Sequence, residues 1–534
     1  MKLSQAAICV IVAFLGFGNA LPETSAKTAR CAIDPVIIIG AGKAGAAATR
    51  DLTTRGCKVV VVEARDRVGG RAHIIQDWGS GFPLDTGGTY IHGGSVDNSV
   101  RWVAEKKLGL KTIESGGDSA YIGPEDRMKW TKASNGEAYT EGVMELGWAA
   151  YEDWWECVAK LEADRLAKGQ QDVSLAWATN EVMNGFLMRD DTFVKMAEMN
   201  TDTTYLLFIH LNKVFEGDWG LPLSQFKLFG FKDDYHWRTI EEGDRVIVGG
   251  MQQVPAALLK DINLVLNYRV TRIDYIDTKN PIITVEGTSG EDRNITSGIT
   301  IISTLPLEIL TARDVEFVAP LPANKRLSTN RRGIARLNNL HLEFPSRFWE
   351  EDLGTMTLVP QESDPRHDAF LGEWIWTGSL LQIKGKHDST DAKSDTYQPA
   401  LSFFWASDDY WHESLSDKEL KNMALKKLIM RYGKENVLEP TSYIASRWNT
   451  DPYTKLAYSG LRLYSTKEDW ENLAAPINNA LFFAGEHTNL DGRYQTLDGA
   501  YDSGIRAAKE VAGLTENGLG KIVSEWENPT KKTK

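Results

Sequence analysis

The hydrophobic pattern of this chain changes period several times, and each change marks an element. Val36–Ile39 and Val59–Val62 are unbroken aliphatic runs. Strands of this kind are buried on both faces, as in a parallel sheet. Between them lies a glycine turn followed by small residues, Ala46, Ala47 and Ala48, on a predicted helix. Residues 95–240 read as helix-rich and aromatic, with Trp148, Trp154 and Trp155 on one long helix at core-packing spacing. The last stretch, 515–534, reads as a frayed polar tail ending in Lys531-Lys532-Thr533-Lys534.

The first strand, helix and second strand carry a fingerprint. Gly40, Gly42 and Gly45 stand at G-x-G-x-x-G spacing directly after the first strand. The first glycine permits a tight turn, the second lets backbone approach a pyrophosphate, and the third lets helix and strand pack closely. The helix N-terminus then presents N–H groups to phosphate. Glu63 closes the second strand, where an acid binds ribose hydroxyls. The unit predicts an α/β fold with a dinucleotide site, and by itself does not separate NAD from FAD.

The chain ends and composition narrow the setting. Lys2, the apolar stretch Ala6–Phe17 and the small residues Gly18-Asn19-Ala20 read as a secretory signal peptide over 1–20, cleaved near Ala20. No apolar run is long enough to predict a membrane span. Sixty basic residues face 73 acidic ones, a net charge of −13. That balance disfavours nucleic acid and suits a cationic substrate, although solubility explains it equally well. The 534 residues are enough for two domains. Beyond the leader the cysteines are Cys31, Cys57 and Cys157, without metal-ligand spacing. Cys31 and Cys57 precede strands that lie side by side, so a bridge between them is geometrically available, though spacing does not fix the pairing. Asn294-Ile295-Thr296 is an N-glycosylation sequon expected in a surface loop, with Asn294 the acceptor.

Downstream of Glu63 the chain resembles the FAD-dependent amine oxidase family. Glu63-Ala-Arg65-Asp-Arg-Val-Gly-Gly-Arg71 matches that family's E-A-x-x-R-x-G-G-R run. Leu481-Phe-Phe-Ala-Gly-Glu486-His-Thr488 and the segment Thr496-Leu497 to Ala508 look like its F-x-G-E-x-T and G-A-x-x-S-G-x-R-A-A motifs. The resemblance implies FAD as cofactor, with Arg71 reaching its phosphates and Glu486 at the ribityl or phosphate region. Arg65, Thr496 and Leu497 join the candidate cofactor contacts, and Val270 matches the position whose backbone holds adenine. The resemblance also implies FAD-domain strands at Leu264–Ile273 and Thr300–Leu307 and a last helix starting near Gly499 with its positive end facing the flavin ring. No cysteine lies near Thr496–Gly499, which points to noncovalent flavin.

The same resemblance places the substrate. Asp85–Gly93 looks like the G-A-x-W-x-H-G segment of polyamine oxidases, with Tyr90 and Ile91 backbone along the flavin and His92 lining an amine pocket. A histidine that satisfies loop backbone is the plainer alternative. Arg447-Trp448 to Tyr453, then Ala457-Tyr458-Ser459, resembles R-W-x-x-D-P-x…G-x-Y-S. Tyr458 would form one aromatic wall, with Trp448 at the same catalytic face. The second wall, aromatic in some relatives, aligns with Thr496. Asn338 to Pro345 resembles a strand on which most oxidases of the family carry a lysine water-bridged to the flavin. This chain has Asn339 there, unless the strand is slipped by one residue.

The implied architecture is a discontinuous, Rossmann-like FAD domain (33–94, 241–312, 471–514) and an α+β substrate domain around a mixed sheet (95–240, 313–470). The implied function is oxidation of a small-molecule, polyamine-like amine, with O2 reduced to hydrogen peroxide, in a secreted, fungal-type member. Rival readings are a tailoring oxidase or dehydrogenase, an amino-acid oxidase, and an FAD-binding protein without turnover.

Overall fold

A computed structural model describes Cys31, residues 34–114, 128–132, Glu137, 140–183, 219–230, 244–287, 292–296, 300–349, 355–359, 374–377, 399–406, 411–513 and 524–529. The segment 1–20, read as a leader from the sequence, and the lysines at the C-terminus lie outside the described residues. In chain order, the elements used below are β1 (Val36–Ile39), α1 (Lys43–Thr54), β2 (Val59–Val62), α2 (Glu141–Ala167), β3 (Thr300–Ser303), β4 (Leu337–Glu343), α3 (Asp417–Tyr432), β5 (Leu481–Phe483) and α4 (Leu497–Val511).

The aliphatic runs form the parallel sheet expected of them. Its order is β5, β3, β1, β2 and the short strand Leu264–Val265. Side chains alternate between its faces. Val36, Ile38, Val61 and Ile302 face a helical layer with α1 and α4, whereas Ile37, Ile39, Val62 and Ile301 face a second, four-stranded sheet. Each fully buried aliphatic side chain contributes roughly 1.5–3 kcal/mol. Gly45 allows α1 to lie on the turn: a Cβ there would sit 2.0 Å from the Gly40 carbonyl oxygen.

Cys31 and Cys57 are joined in a disulfide across the entries of β1 and β2. Cys157 is a buried free thiol on α2. Trp154 of the same helix is fully buried and Trp155 packs beside it. The side chain of Trp148 lies outside the described ones.

The structure corrects several expectations. The strand predicted over Leu264–Ile273 breaks at Asn267, whose φ of 66° turns the chain. Asparagine tolerates this left-handed conformation better than other side chains. Leu264–Val265 stays with β2, and Tyr268–Asp274 enters the four-stranded sheet. Glu316–Val318 pairs parallel with that strand, so the cofactor unit continues past the expected boundary at 312. Asn294 lies on an edge strand, Asp292–Thr296, opposite Thr284, and not in a loop. Its polar–apolar–polar triplet is itself a strand pattern. The final helix starts at Leu497 with Thr496 as its cap. The tail is not frayed throughout: 524–529 fold back on the cofactor unit. Ser524 bonds Asp51, Trp526 Nε1 donates to Thr54 Oγ1 at 2.9 Å, and Asn528 Nδ2 donates to the Val96 carbonyl at 3.1 Å.

The substrate side is built on a six-stranded mixed sheet. Its order is Ser442–Ala445, β4, Ala400–Ala406, Trp374–Thr377, Thr355–Val359 and Met128–Lys132, with the last pair parallel and the rest antiparallel. Leu340, Leu342 and Phe344 pack under α3. The alternate residues Leu337 and Asn339 turn to the other face, toward the parallel sheet.

Candidate active site

A cavity of about 300 Å³ opens where the carboxyl ends of β1, β2 and β3 meet the face of β4 that points away from α3. Open α/β sheets bind ligands at such carboxyl ends. Of the residues proposed from sequence, all but Gly45, Ile91 and the sequon Asn294 line this cavity. Gly45 serves helix packing. Ile91 is buried in the core, and its N–H and C=O are both bonded to Arg245, at 2.8 and 3.1 Å. Its backbone is therefore committed to a β-bridge.

One end carries the fingerprint. Gly40 and Gly42 border the cavity, and a Cβ on Gly42 would meet nothing closer than 4.0 Å. That open space is where a phosphate group can approach the backbone. Glu63 is fixed by its own turn: Oε2 accepts the Ala41 N–H at 2.8 Å and Oε1 accepts the Arg65 N–H at 2.9 Å. Burial raises its pKa, opposed by those two N–H groups and by the charges of Arg65 and Arg67. Each carboxylate oxygen keeps capacity for a further donor, as two ribose hydroxyls would supply. Arg65 is held by Asp451 at 2.6 Å and lies 5.1 Å over the Tyr453 ring. Val270 lines the same end, beside Arg269.

The middle is organised by Glu486. This buried carboxylate accepts from Arg71 Nη1 (3.1 Å), Ser459 N–H (3.1 Å), Ser459 Oγ (2.6 Å) and Gln495 N–H (2.9 Å). Burial alone would raise its pKa. The Arg71 charge, followed by His487 and these hydrogen bonds, outweighs burial and holds it at about 2. Arg71 also donates to the Ala457 carbonyl at 2.9 Å, which aims the guanidinium along the cavity wall. Thr496 caps α4: its hydroxyl accepts the Gly499 N–H at 2.9 Å and donates to the Arg493 carbonyl at 2.7 Å. It thus turns the positive end of α4 toward the cavity, with Leu497 beside it.

The far end is aromatic. Tyr90, Phe404, Trp448 and Tyr458 line it together with His92 and Asn339. His92 Nδ1 is 2.9 Å from Asp244 Oδ2, and Asp244 Oδ1 accepts the Gly93 N–H at 3.2 Å. Tyr458 sits on a two-stranded pairing with Ala335, next to Ser459 and so to Glu486. Trp448 Nε1 donates to the Thr86 carbonyl at 3.2 Å. The asparagine pair on β4 divides its work. Asn339 faces the cavity opposite Phe404, while Asn338 points the other way into a buried network with His412 and Glu413. Alignment through Phe344-Pro345 therefore selects the asparagine that faces the site.

Sequence reasoning missed four participants. Lys43, inside the glycine loop, lines the cavity with Nζ 2.9 Å from Met251 Sδ. Burial lowers its pKa to about 7, against the charges of Asp498 and Asp85. A lysine among those glycines was the available signal. Asp244 and Glu413 gave no local signal, since each acts on a residue distant in sequence, and Gln495 acts on Glu486 through its backbone N–H, which any residue but proline carries. Among the described residues no cluster of acidic, histidine or cysteine side chains suits a metal, and no helix is long and apolar enough to cross a membrane.

The donor set suits FAD: an open glycine backbone and helix start for pyrophosphate, a fixed carboxylate for ribose, arginine beside both, and a helix N-terminus at the aromatic end. Comparison with known proteins agrees. The family model for flavin-containing amine oxidoreductases matches residues 44–512. Polyamine oxidase 5 of Oryza sativa subsp. japonica is 28% identical over 489 residues, covering 91% of this chain and 89% of that protein. Lysine-specific histone demethylase 2 of Homo sapiens is 27% identical over 479 residues, 90% of this chain but 53% of the demethylase. A wild-type putrescine oxidase solved bound to putrescine has the same fold, with TM-score 0.66 at 21% identity over 90% of this chain and 99% of that one. Fingerprint, cavity and family match converge: the chain belongs to the flavin-containing amine oxidoreductases and is an FAD-dependent enzyme acting on amines.

Proposed function

We propose that this chain is a secreted oxidase of polyamine-type amines, with FAD held noncovalently and O2 as the final electron acceptor. In balanced form, a secondary amine with a hydrogen on its α carbon reacts with one O2 and one water. The products are one carbonyl compound, one primary amine and one hydrogen peroxide. Bound FAD supplies the acceptor for a hydride from the amine's α carbon. The chain's own residues hold, orient and deprotonate. Glu63 and Arg71 hold the cofactor, and Glu486 fixes Arg71. Asp244 at Nδ1 of His92 sets the tautomer whose Nε2 accepts a proton, so the pair suits deprotonation of a substrate ammonium. Tyr458 and Trp448 offer aromatic faces to a cation before that proton leaves. Leu337 and Phe404 add apolar lining to this part of the cavity.

One observation carries the reading: a single cavity joins Glu63 at one end to the His92–Asp244 pair and aromatic wall at the other. The leader's composition and the Cys31–Cys57 bridge support export, because disulfides persist in oxidising compartments. Noncovalent flavin is supported by the lining, which contains no cysteine among the described residues. The test is peroxide release from purified holoenzyme across polyamines, monoamines and amino acids. Peroxide with polyamines supports the proposal, and peroxide with amino acids alone overturns it. Asn339 favours a second reading, a dehydrogenase: the cavity position holds a neutral amide. Rapid turnover with an artificial acceptor and negligible peroxide would select it.

A further inference from the structure

A buried carboxylate that does not line the cavity is bonded to the loop that carries one of its walls. Glu413 lies in the short 3-10 turn Trp411–Ser414 just before α3 and is 6% exposed. Its Oε1 accepts from Asn338 Nδ2 (2.7 Å), Asn449 N–H (3.1 Å) and Asn449 Nδ2 (2.6 Å). Its Oε2 accepts the Thr450 N–H at 2.7 Å. Burial alone would raise its pKa, but these donors bring it below the usual carboxylate value. The carboxylate thus closes on the turn that follows Trp448.

Asn338 completes the clasp. Its Oδ1 accepts the Trp448 N–H at 2.9 Å, so Glu413 grips that loop on both sides of the indole-bearing residue. Ser446 ties the same loop to β4: it accepts the Asn339 N–H on Oγ at 2.8 Å and returns its own N–H to the Asn339 carbonyl at 2.8 Å. Arg447 adds two bonds to the turn, to the Glu413 carbonyl at 3.2 Å and the Leu415 carbonyl at 2.6 Å. The indole has little freedom to answer a shift of its backbone. Nε1 is tied to Thr86, and a Cβ on Gly87 would lie 2.9 Å from its Cζ2.

We propose that Glu413 is a positioning residue of the amine-oxidising site: it sets the placement of Trp448 and, through Asn338, of Asn339, without touching substrate. The inference rests on the function proposed above. A merely structural acid would lose activity only as it loses folded protein. A positioning acid loses the rate of flavin reduction in enzyme that is still folded and loaded, and it acts through Trp448.

The experiment uses holoenzyme of wild type, Glu413→Gln, Trp448→Phe and the double variant. FAD content and Tm are measured first, then the visible circular dichroism of bound flavin and the rate of anaerobic flavin reduction by the best amine. Glu413→Gln keeps the volume but turns an amide N–H toward one of its donors. At a temperature where it is folded and FAD-loaded, reduction is expected to fall roughly tenfold to a hundredfold, the scale of small misplacements in active sites. Its flavin dichroism should move toward that of Trp448→Phe, and the double variant should be no slower than the slower single one. Wild-type reduction in folded Glu413→Gln, or losses that multiply in the double variant, would overturn the proposal. If Glu413→Gln does not fold, Asn449→Ala removes one donor and should shift both readouts in the same direction; no shift overturns it. If no amine reduces even the wild type, the amine reading fails, while dichroism still decides Glu413: a wild-type spectrum in Glu413→Gln rejects it, and a Trp448→Phe-like spectrum supports it.

Discussion

Arg71 Nη1 lies 3.1 Å from Glu486 Oε1, a pair separated by 415 residues of sequence. It joins the loop after β2 to the loop after β5 across the middle of the cavity. Glu486 titrates at about 2 in the fold against an ordinary value of 4.5. A depressed carboxylate stabilises the fold fully above the unfolded value, and the contribution is lost as pH falls through the folded one. The window is therefore pH 4.5 down to about 2, and the effect is of order 3 kcal/mol. Thermal melts of wild type and Glu486→Gln across that range are the check. The wild type should lose Tm more steeply on acidification. Parallel curves would mean that Glu486 is not the group responsible.

Glu63→Gln should weaken FAD binding. The amide keeps the shape but turns an N–H toward either Ala41 or Arg65, whose own N–H groups now point at the carboxylate. Losing a hydrogen bond to a charged group costs roughly 1.5–3 kcal/mol, so the Kd should rise roughly tenfold to a hundredfold. Flavin fluorescence during reconstitution of apoprotein measures it. Equal Kd values would show that this acid does not face the cofactor. Acid precipitation of the holoenzyme should leave free FAD in the supernatant, and flavin in the pellet would exclude noncovalent attachment.

Tyr458→Ala should slow anaerobic flavin reduction by roughly tenfold, the effect of losing one aromatic wall for a cation. FAD content should stay near that of wild type, because the backbone pairing with Ala335 and the Ser459–Glu486 bonds do not use the phenol ring. Loss of folded protein in step with activity would assign Tyr458 to packing.

Asn339→Lys introduces a cation on the cavity face of β4, opposite Phe404. A positive group beside the negative charge of reduced flavin favours electron transfer to oxygen. Reoxidation should speed up by roughly tenfold, with less change in reduction by amine. Stopped-flow absorbance separates the two half-reactions. Unchanged reoxidation would mean that another group already supplies the charge.

Much of the cofactor end was legible because it is local. Gly40, Gly42 and Glu63 fall in one short unit whose spacing is set by the ligand, and β1 and β2 announce burial by their unbroken aliphatics. The substrate end was less legible because its geometry comes from long-range polar pairs. Nothing near His92 marks Asp244 as its partner, and nothing near Trp448 points to Glu413. A strand can carry two asparagines in a row with opposite duties: alignment through Phe344-Pro345 picks Asn339, and the sheet register supplies the physical reason that it and not Asn338 faces the cavity. The turn at Asn267 was missed for a related reason: one left-handed residue inside an apolar run redirects a strand without altering its hydrophobic pattern.

The strand order of the parallel sheet has a consequence for how the enzyme is made. β3 lies between β1 and β5, so the sheet that carries the glycine loop is completed only by one of the last strands to leave the ribosome. Glu486 and the α4 cap arrive with it. During synthesis the early βαβ unit can gain Leu264–Val265 and β3 once residue 303 has emerged, but the outer edge of β3 stays uncovered until β5 follows. Long-range pairing of this kind folds slowly and exposes aggregation-prone edges. Cofactor capture is therefore a late event in the life of this polypeptide, and the yield of loaded enzyme from an expression host should depend on flavin supply at the end of folding.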